Sequence, residues 1–346
     1  MLFGLRPGAL LLSILFCVFV ASSLVLLRFA FGGDFSFIER VHSPLNSEGL
    51  IAVAFVVICV LKAKNNRSHN LEEPEKSSHT AVFVGLIVVL TVLAFGPSLK
   101  DPFLSDSYDL LKQATEPLTN VLSRSLLTHP TSGDFGFRPV VYVLNWLEFR
   151  WTGYNPVSWH VFNLLLHLAN TLLVFALLRQ LKFRADISCF AALLFAVHGT
   201  RPEVVCWVAA RYDLVAFFFS ALTLVAAFRY VERPTGKWLA VSLLAPILAA
   251  LSKESAFCLP LLLAALFFFH ENGWNQHARR LLLWVSVSCL AVLLYRTWFL
   301  QGIGGYKNSQ GTAIVTIFHP VLTVKALFFR APAILFFPIN WSAPGL

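Results

Sequence analysis

Long apolar runs make up most of the chain, and short polar or charged connections separate them. A helix needs roughly 20 apolar residues to cross a bilayer, and on that scale the pattern predicts about ten membrane spans. They lie near residues 10–31, 45–61, 80–99, 157–181, 186–199, 204–230, 237–251, 255–270, 279–300 and 319–338. The predicted fold class is therefore all-α, a polytopic transmembrane helix bundle.

Three of these runs are short for a full crossing, namely those near 186–199, 237–251 and 255–270. Their neighbours include Gly, Pro and charged residues, which favours broken or partly inserted helices that border a cavity, because irregular backbone at membrane depth must be shielded from lipid. The first run, Leu10 to Leu27, is longer than the roughly 7 to 15 residues of a signal-peptide core, so it predicts an uncleaved signal anchor.

The composition excludes an ordinary soluble domain. Hydrophobic residues make up 57% of the chain and charged residues 13%, whereas soluble domains are about a quarter charged. The net charge of +9 comes from basic residues dispersed between apolar runs, so membrane lipids are predicted partners and nucleic acid is not. The six cysteines form no CxxC pair and no metal-ligand spacing, which indicates small buried side chains and no metal site.

Four basic clusters fall on alternate connections, so they share one side of the membrane, which the positive-inside rule makes cytoplasmic. They are Lys62, Lys64, Arg67 and Lys76; Arg179, Lys182 and Arg184; Arg229, Arg233 and Lys237; Arg279 and Arg280. The other side receives the long segment 100–156 and three short connections. We therefore expect a multi-pass protein of the bacterial inner membrane or the endoplasmic reticulum, with its polar site extracytoplasmic or lumenal. The glycosylation pattern at Asn66 would then face the cytoplasm and stay bare.

The long exterior segment contains an amphipathic stretch, 108–127. Its apolar residues could share one face of a helix interrupted at Pro117, which predicts an interfacial helix on the membrane surface.

Acidic residues follow the third predicted span, at Asp106 and Asp109. A carboxylate at the water interface above a helix end is placed to take a proton from an incoming hydroxyl. The alternative is a solvated loop acid.

A second polar group holds five ionisable residues within sixteen positions: His198, Arg201, Glu203, Arg211 and Asp213. Ionisable residues in or beside a membrane helix are costly and usually face a cavity. If the segment after Pro202 is helical, Glu203, Trp207 and Arg211 share one face. The alternative is a structural charge pair between Arg211 and Asp213.

Two further polar groups lie on the same side. Lys253 at a helix end could hold a lipid phosphate, with Glu254 orienting it, or both could form a simple polar hairpin tip. His160, Asn163 and His167 recur on one face of a span, which favours hydrogen bonds between helices over a metal site.

The run 198–214, HGTRPEVVCWVAARYDL, resembles the HPxHTExVxWVxxRxDL signature of the tetratricopeptide-containing O-mannosyltransferase type of membrane glycosyltransferase, in the GT-C superfamily. Three further segments fit in the same order: FRPVVYVLNW at 137–146, NPVSWHVFNLLLHLANTLLVF at 155–175 and LSKESAFCLPLLL at 251–263. The resemblance covers roughly residues 100–340. Gly199 replaces the usual Pro of the signature, and Arg201 the usual second His.

This resemblance implies a GT-C-like membrane domain that transfers a sugar from a polyprenyl-phosphate donor to a hydroxyl of a protein or glycolipid acceptor, with inversion. The catalytic base would be Asp106, with Ser107 where the family carries a second acid and Asp109 as a substitute. The groups that bind donor phosphate and sugar would be Arg138, His198, Arg201, Glu203, Arg211, Asp213, Lys253 and Glu254. No cofactor is predicted with certainty, although the outer acids could bind a divalent cation.

The expected organisation is an N-terminal region of helices and a basic loop at 1–79, the GT-C-like domain at 80–340 and a short end at 341–346 that suggests a truncated chain. Two rival functions remain open. A transporter or flippase of a lipid-linked or anionic substrate would use the same cations as a translocation path. A non-catalytic scaffold would fit the missing second acid.

Overall fold

The computed structural model describes residues 77–127, 137–270 and 274–300, and within these ranges every regular element is helical. Four described helices are long and apolar enough to cross a membrane: Thr80–Lys100, Pro156–Gln180, Val208–Glu232 and Gln276–Leu300. They correspond to the predicted spans near 80–99, 157–181, 204–230 and 279–300. The predicted spans near 10–31, 45–61 and 319–338, and the glycosylation pattern at Asn66, lie outside the described residues.

The described helices are numbered here in chain order. They are α1 (Ser77–Phe95), α2 (Ser107–Thr115), α3 (Leu118–Leu122), α4 (Pro139–Thr152), α5 (Pro156–Gln180), α6 (Ala185–Val197), α7 (Arg201–Cys206), α8 (Arg211–Glu232), α9 (Gly236–Ala250), α10 (Leu259–Phe269) and α11 (Gln276–Leu300). Short 3-10 turns cover Gly96–Lys100, Val208–Ala210 and Glu254–Cys258, and a π turn covers Ser123–Leu127.

The boundary between α4 and α5 follows directly from local sequence. Gly153 takes a positive φ of 58° just past the end of α4, a conformation that glycine adopts without a Cβ penalty. The Asn155 side chain then accepts a hydrogen bond from the Val157 amide at 3.2 Å and caps α5. Pro156 occupies the first turn of that helix, where its missing N–H costs nothing. A sharp corner between the two helices results.

The three apolar runs predicted to be short are short in the structure. The helices there are Ala185–Val197, Gly236–Ala250 and Glu254–Phe268. At about 1.5 Å per residue, each falls short of a hydrocarbon core roughly 30 Å thick. Pro246 lies inside α9, where it removes one backbone hydrogen bond. Because the helices on either side are short, the connection between α9 and α10 lies where polar groups can reach it from the end of the bundle.

The exterior segment forms two short helices, α2 and α3, with Glu116 and Pro117 between them in extended conformations. The interruption falls at the proline, as its fixed φ would require. Buried Leu110, Leu111 and Ala114 give α2 an inner face that packs on α4 and the 208–210 turn. That these helices lie on the membrane surface stays a prediction.

The segment from Pro202 through Arg211 is not one continuous helix, so the condition under which Glu203, Trp207 and Arg211 would share one face is not met. Trp207 ends α7 in an extended conformation, with φ −92° and ψ 111°, before the next turn begins. Its indole N–H donates to the Leu104 carbonyl at 3.3 Å. Because that bond draws the side chain towards the exterior segment, Glu203, Trp207 and Arg211 do not share one helical face.

Helices α5 and α8 run parallel and are joined by buried side-chain amides along much of their length. Asn170 and Gln180 donate to the carbonyls of Leu214 and Val225 of α8 at 3.0 and 3.2 Å, and Asn163 donates to the Val205 carbonyl of α7 at 3.3 Å. His167 adds a bond from Nε2 to the Ala196 carbonyl of α6 at 2.9 Å. The predicted hydrogen bonds between helices are thus confirmed for Asn163 and His167. Such bonds fix helix positions where apolar packing alone discriminates weakly.

The largest described core cluster joins α1, α5, α6, α8, α10 and α11. Large apolar side chains also point outwards from the bundle, including Val82 at 66%, Leu93 at 67% and Leu283 at 66% exposed. Such wide apolar surfaces are unusual on soluble monomers and suit contact with lipid. The chain is a membrane protein.

Candidate functional site

The predicted polar residues collect at one end of the described bundle, called here the site end. Helices α1, α6, α9 and α11 finish there, and α5, α8 and α10 begin there. The alternation of direction explains why residues distant in sequence meet. Lys253 contacts Asp213 across 40 residues, and Arg138 contacts Glu254.

Asp106 stands at the water-exposed start of α2, in the N-cap position. Its carboxylate accepts a hydrogen bond from the Ser105 hydroxyl at 3.0 Å and makes no capping bond to the helix. Ser105 itself has a positive φ of 46°, which costs a non-glycine residue roughly 1 to 2 kcal/mol. A strained residue beside an exposed acid is an arrangement common at functional sites.

The neighbours of Asp106 differ sharply in exposure. Ser107, where a second acid would stand, is 1% exposed, and its Oγ is buried without a hydrogen-bond partner. Asp109 is exposed in the first turn of α2. Asp106 and Asp109 are therefore the two acids of this stretch that water or an acceptor can reach.

Asp106 is connected to the rest of the site end through aromatic side chains. The bond between Trp207 and Leu104 ties the segment before Asp106 to the turn that follows α7. Asp106 is also close enough to Tyr212 to act on its hydroxyl electrostatically. The Arg138 guanidinium in turn lies 4.0 Å from the centroid of the Tyr212 ring. Asp106, Tyr212 and Arg138 thus lie side by side, in that order, at the site end.

Lys253 and Asp213 form a tight pair. The Lys253 ammonium donates to both Asp213 oxygens at 2.5 Å, and the two residues are 7% and 9% exposed. The sequence pattern allows a charge pair between Arg211 and Asp213, and it indicates that Glu254 could orient Lys253. The structure instead pairs Lys253 with Asp213. A buried pair of this kind is costly to separate, because each charge would lose its counter-charge in a low-dielectric site.

Glu203 lies beside this pair. Burial, and then the nearby Asp213 carboxylate, raise the pKa of Glu203 to about 7, although Lys253 and Arg201 oppose the shift. A carboxyl with such a pKa exchanges its proton near neutral pH, as groups at functional sites often do. The protonation of Glu203 therefore responds to ordinary changes in pH.

Arg211 is fully buried, and its guanidinium is engaged on every side. It donates to Asn163 at 2.7 Å, to Asn145 at 2.9 Å and to the Trp159 carbonyl at 3.1 Å, and it forms a short ion pair with Glu148. Burial raises the pKa of Glu148, and Arg211 opposes that shift. The bonds join α8 to both α4 and α5. This arginine acts as an internal brace in the structure.

His198 and Arg201 lie beneath the surface at the start of α7. Thr200 Oγ1 is 3.0 Å from His198 Nδ1, and the Arg201 Nη2 is 3.4 Å from the same hydroxyl. The Arg201 guanidinium also lies 4.9 Å from the centroid of the Phe195 ring. Cation, hydroxyl and imidazole therefore form one buried group.

Glu254 lies between two arginines. Its carboxylate is 3.5 Å from Arg138 Nη2 and 3.7 Å from Arg296 Nη2. Arg138 precedes α4, Glu254 opens the turn after α9, and Arg296 lies on α11. Three separate parts of the chain thus bring two cations to one carboxylate.

Sequence reasoning missed Glu148, Asn145 and Arg296. Glu148 and Asn145 are three residues apart on α4, so they share one polar face of a largely apolar stretch, and this spacing is a signal that the sequence contains. Arg296 is an ionisable residue inside an apolar run, which by itself is a signal for a functional position. Within the described ranges, no group of three or more His, Cys, Asp or Glu side chains is arranged to hold a metal ion.

Comparison with known proteins places these residues in context. Residues 129–299 match the family model described as dolichyl-phosphate-mannose-protein mannosyltransferase. The chain is 24% identical over 257 residues to the Protein O-mannosyl-transferase F38B6.6 of Caenorhabditis elegans, a match that covers 71% of this chain and 35% of that protein. No solved structure matches the chain.

Two further curated relatives match over shorter stretches with higher identity. Identity is 30% over 143 residues with the Drosophila melanogaster Protein O-mannosyl-transferase Tmtc1, covering 40% of this chain and 17% of that protein. It is 34% over 122 residues with the human Protein O-mannosyl-transferase TMTC4, covering 30% and 16%. The chain thus spans about a third or less of the length of these relatives. The resemblance predicted from the motifs is confirmed.

Proposed function

We propose that this O-mannosyltransferase-like membrane protein is a glycosyltransferase, which moves a sugar from a polyprenyl-phosphate donor to a hydroxyl of a protein or glycolipid acceptor. The observation that carries the proposal is the site end, where an exposed acid and several cations collect at the end of a membrane bundle. The family description and the names of the relatives support a dolichyl-phosphate-mannose type of donor and a protein acceptor.

Asp106 is the proposed general base. Its carboxylate takes the proton of the acceptor hydroxyl, and the acceptor oxygen forms a bond to the anomeric carbon from the side opposite the phosphate. The bond between that carbon and the phosphate oxygen breaks, and the configuration inverts. The products are the glycosylated acceptor and the lipid phosphate monoester. Asp109 lies one turn further along α2 and is the second acid that could take this role.

The cations and their partners divide the remaining work. Negative charge grows on the departing phosphate, and nearby fixed cations stabilise that charge most strongly where water is excluded. Arg138 is partly exposed at the site end, and Lys253 is buried beside Asp213 just beneath it. Arg211 holds α8 in position. Glu203, His198 and Asp213 hold the cations and offer hydrogen-bonding groups to the sugar hydroxyls.

Replacement of Asp106 tests the proposal. In purified full-length protein supplied with a radiolabelled polyprenyl-phosphate mannose and a hydroxyl acceptor, Asp106→Asn should lower transfer by about 100-fold or more, the scale of a lost general base. Asp186→Asn is the matched control, since Asp186 is an exposed acid at the start of α6, away from the site end. It should keep wild-type transfer.

Two outcomes would contradict the assignment. Full transfer by Asp106→Asn together with loss in Asp109→Asn would move the base to Asp109. Wild-type protein that binds the donor and never transfers its sugar would favour a scaffold or a flippase. Polar groups do occur along the depth of α5, but the described amides there bond to backbone carbonyls of α7 and α8 and do not line a path. Transfer is therefore the function that the geometry supports best.

A further inference from the structure

We infer that Arg138 and Arg296 form a two-guanidinium site for one phosphate of the lipid donor, and that Glu254 fills this site as an internal counter-anion when no phosphate is bound. The inference rests on the proposed function for the identity of the lipid. It assigns a ligand to Arg296 and a competing role to Glu254.

The distances separate these arginines from the other cations of the site end. Lys253 holds both oxygens of Asp213 at 2.5 Å, and Arg211 donates to four protein acceptors. The contacts of Glu254 are longer, at 3.5 Å to Arg138 and 3.7 Å to Arg296. Charge-assisted bonds of full strength are about 2.7 to 2.9 Å long. Glu254 therefore holds its two arginines loosely.

The charge balance of this group also favours an anion. Arg138 and Arg296 together carry two positive charges and Glu254 carries one negative charge, so the three residues have an excess of one cation. The two guanidiniums also lie close enough to repel one another. A phosphate between them would relieve that repulsion and offers more oxygens than the carboxylate, in a geometry that planar guanidinium groups match.

Exposure is consistent with a ligand reaching the group. The side chains of Glu254, Arg138 and Arg296 are 41%, 24% and 11% exposed. The Glu254 side chain is thus the most open of the three, although its Oε2 atom, which faces Arg296, is buried. Arg296 approaches from α11, a helix long enough to cross the membrane. A phosphate carried on a membrane lipid reaches this depth with its chain still among the helices.

The test measures binding without any sugar transfer. Full-length protein in lipid nanodiscs is titrated with sugar-free polyprenyl phosphate, and the dissociation constant is measured for wild type and three variants. Arg296→Gln should weaken binding by about tenfold or more, the loss expected for a charge-assisted phosphate contact. Glu254→Gln should tighten binding, because the competing anion is gone. Arg280→Gln, on the exposed opposite end of the same helix, should bind as wild type does.

A conservative variant keeps the test decisive if Arg296→Gln fails to fold, as judged by its thermal unfolding and gel filtration. Arg296→Lys keeps the charge beside Glu254 and loses the planar fork, so it should bind more weakly than wild type. Inorganic phosphate as competitor separates the two sources of the ligand. If inorganic phosphate competes and the competition depends on Arg296, the site is open to phosphate from water. If inorganic phosphate does not compete, the phosphate must arrive on a lipid. Both results support the phosphate site.

The inference is overturned if Arg296→Gln binds as tightly as Arg280→Gln, or if Glu254→Gln weakens binding, since Glu254 would then be a structural bridge. Failure of the proposed function looks different. A protein that shows the expected binding pattern but never transfers a sugar retains the phosphate site and loses the glycosyltransferase assignment.

Discussion

Glu203 shows how one buried carboxyl can make the whole molecule sensitive to pH. Its ordinary pKa is 4.5, and burial beside Asp213 raises it to about 7. Between these values the folded protein binds a proton that the unfolded chain has already released. Unfolding then releases a proton, so the free energy of unfolding falls as pH rises through this window, and the full loss is reached above about pH 7.

We therefore expect Glu203→Gln to be more stable than wild type at about pH 8 and similar to it near pH 4.5. At 1.36 kcal/mol per pKa unit, the shift from 4.5 to about 7 corresponds to a difference on the order of 3 kcal/mol at the higher pH. Thermal unfolding in detergent at a series of pH values measures it. If the two proteins keep a constant difference over the whole range, Glu203 does not titrate as assigned.

For the residues of the candidate site, the sequence identified single charged side chains but not the side chains with which they pair. Asp106 was identifiable because an acid follows a span at the water interface, and Lys253 because a cation ends a short helix. Their partners were not identifiable. Lys253 has Glu254 as its chain neighbour, yet it bonds to Asp213 across 40 residues. Pairing of this kind depends on how helices approach, which neither spacing nor residue type encodes.

At the scale of helices, the bonds of Arg211 join three elements in one buried group. Loss of one partner from a buried ion pair leaves the other charge uncompensated, at a cost of about 3 to 5 kcal/mol. Glu148 is the partner, and its side chain is 8% exposed. The positions of α4, α5 and α8 relative to one another depend on it.

Glu148→Gln should accordingly lower the stability of the protein by several kcal/mol, on the order of 3 or more, because the Arg211 charge stays buried. Glu232→Gln is the matched control. Glu232 makes its 3.6 Å ion pair with an exposed Lys182, and pairs at the surface contribute about 0 to 1 kcal/mol. Equilibrium unfolding in mixed detergent measures both. Equal losses in the two variants would show that Arg211 finds another counter-charge.

Helix identity was more predictable than helix continuity. Apolar length alone located the four long helices, since a bilayer sets a minimum span. The break at Trp207 was not predicted, because the run from 204 onwards is apolar on both sides of it. It arises from a tertiary contact, the indole bond to Leu104, and tertiary contacts override a local helical pattern.

The molecule as a whole carries aromatic side chains at both ends of the bundle. Trp151 is 89%, Tyr154 63% and Trp298 56% exposed at the site end, and Trp274 is 52% exposed at the opposite end. Trp and Tyr prefer the two membrane interfaces. The three described basic clusters, at 179–184, 229–237 and 279–280, lie at the end with Trp274, so we expect the site end to face away from the cytoplasm.

Chemical labelling tests this orientation. In a variant without native cysteines, a single cysteine is placed at Tyr154→Cys or at Lys237→Cys, both exposed positions. A membrane-impermeant maleimide should label the first in intact cells or sealed lumen-out vesicles and the second after permeabilisation. The reverse pattern would place the site in the cytoplasm and contradict the lipid-linked donor scheme.

The pairing of buried charges also bears on how the chain is made. Arg211 pairs with Glu148 and Lys253 with Asp213, and in both buried pairs the carboxylate precedes the cation in the sequence. During synthesis from the N-terminus, each of these cations therefore leaves the ribosome after its acid. Each positively charged segment can then enter the bilayer beside a neutralising partner that is already in place.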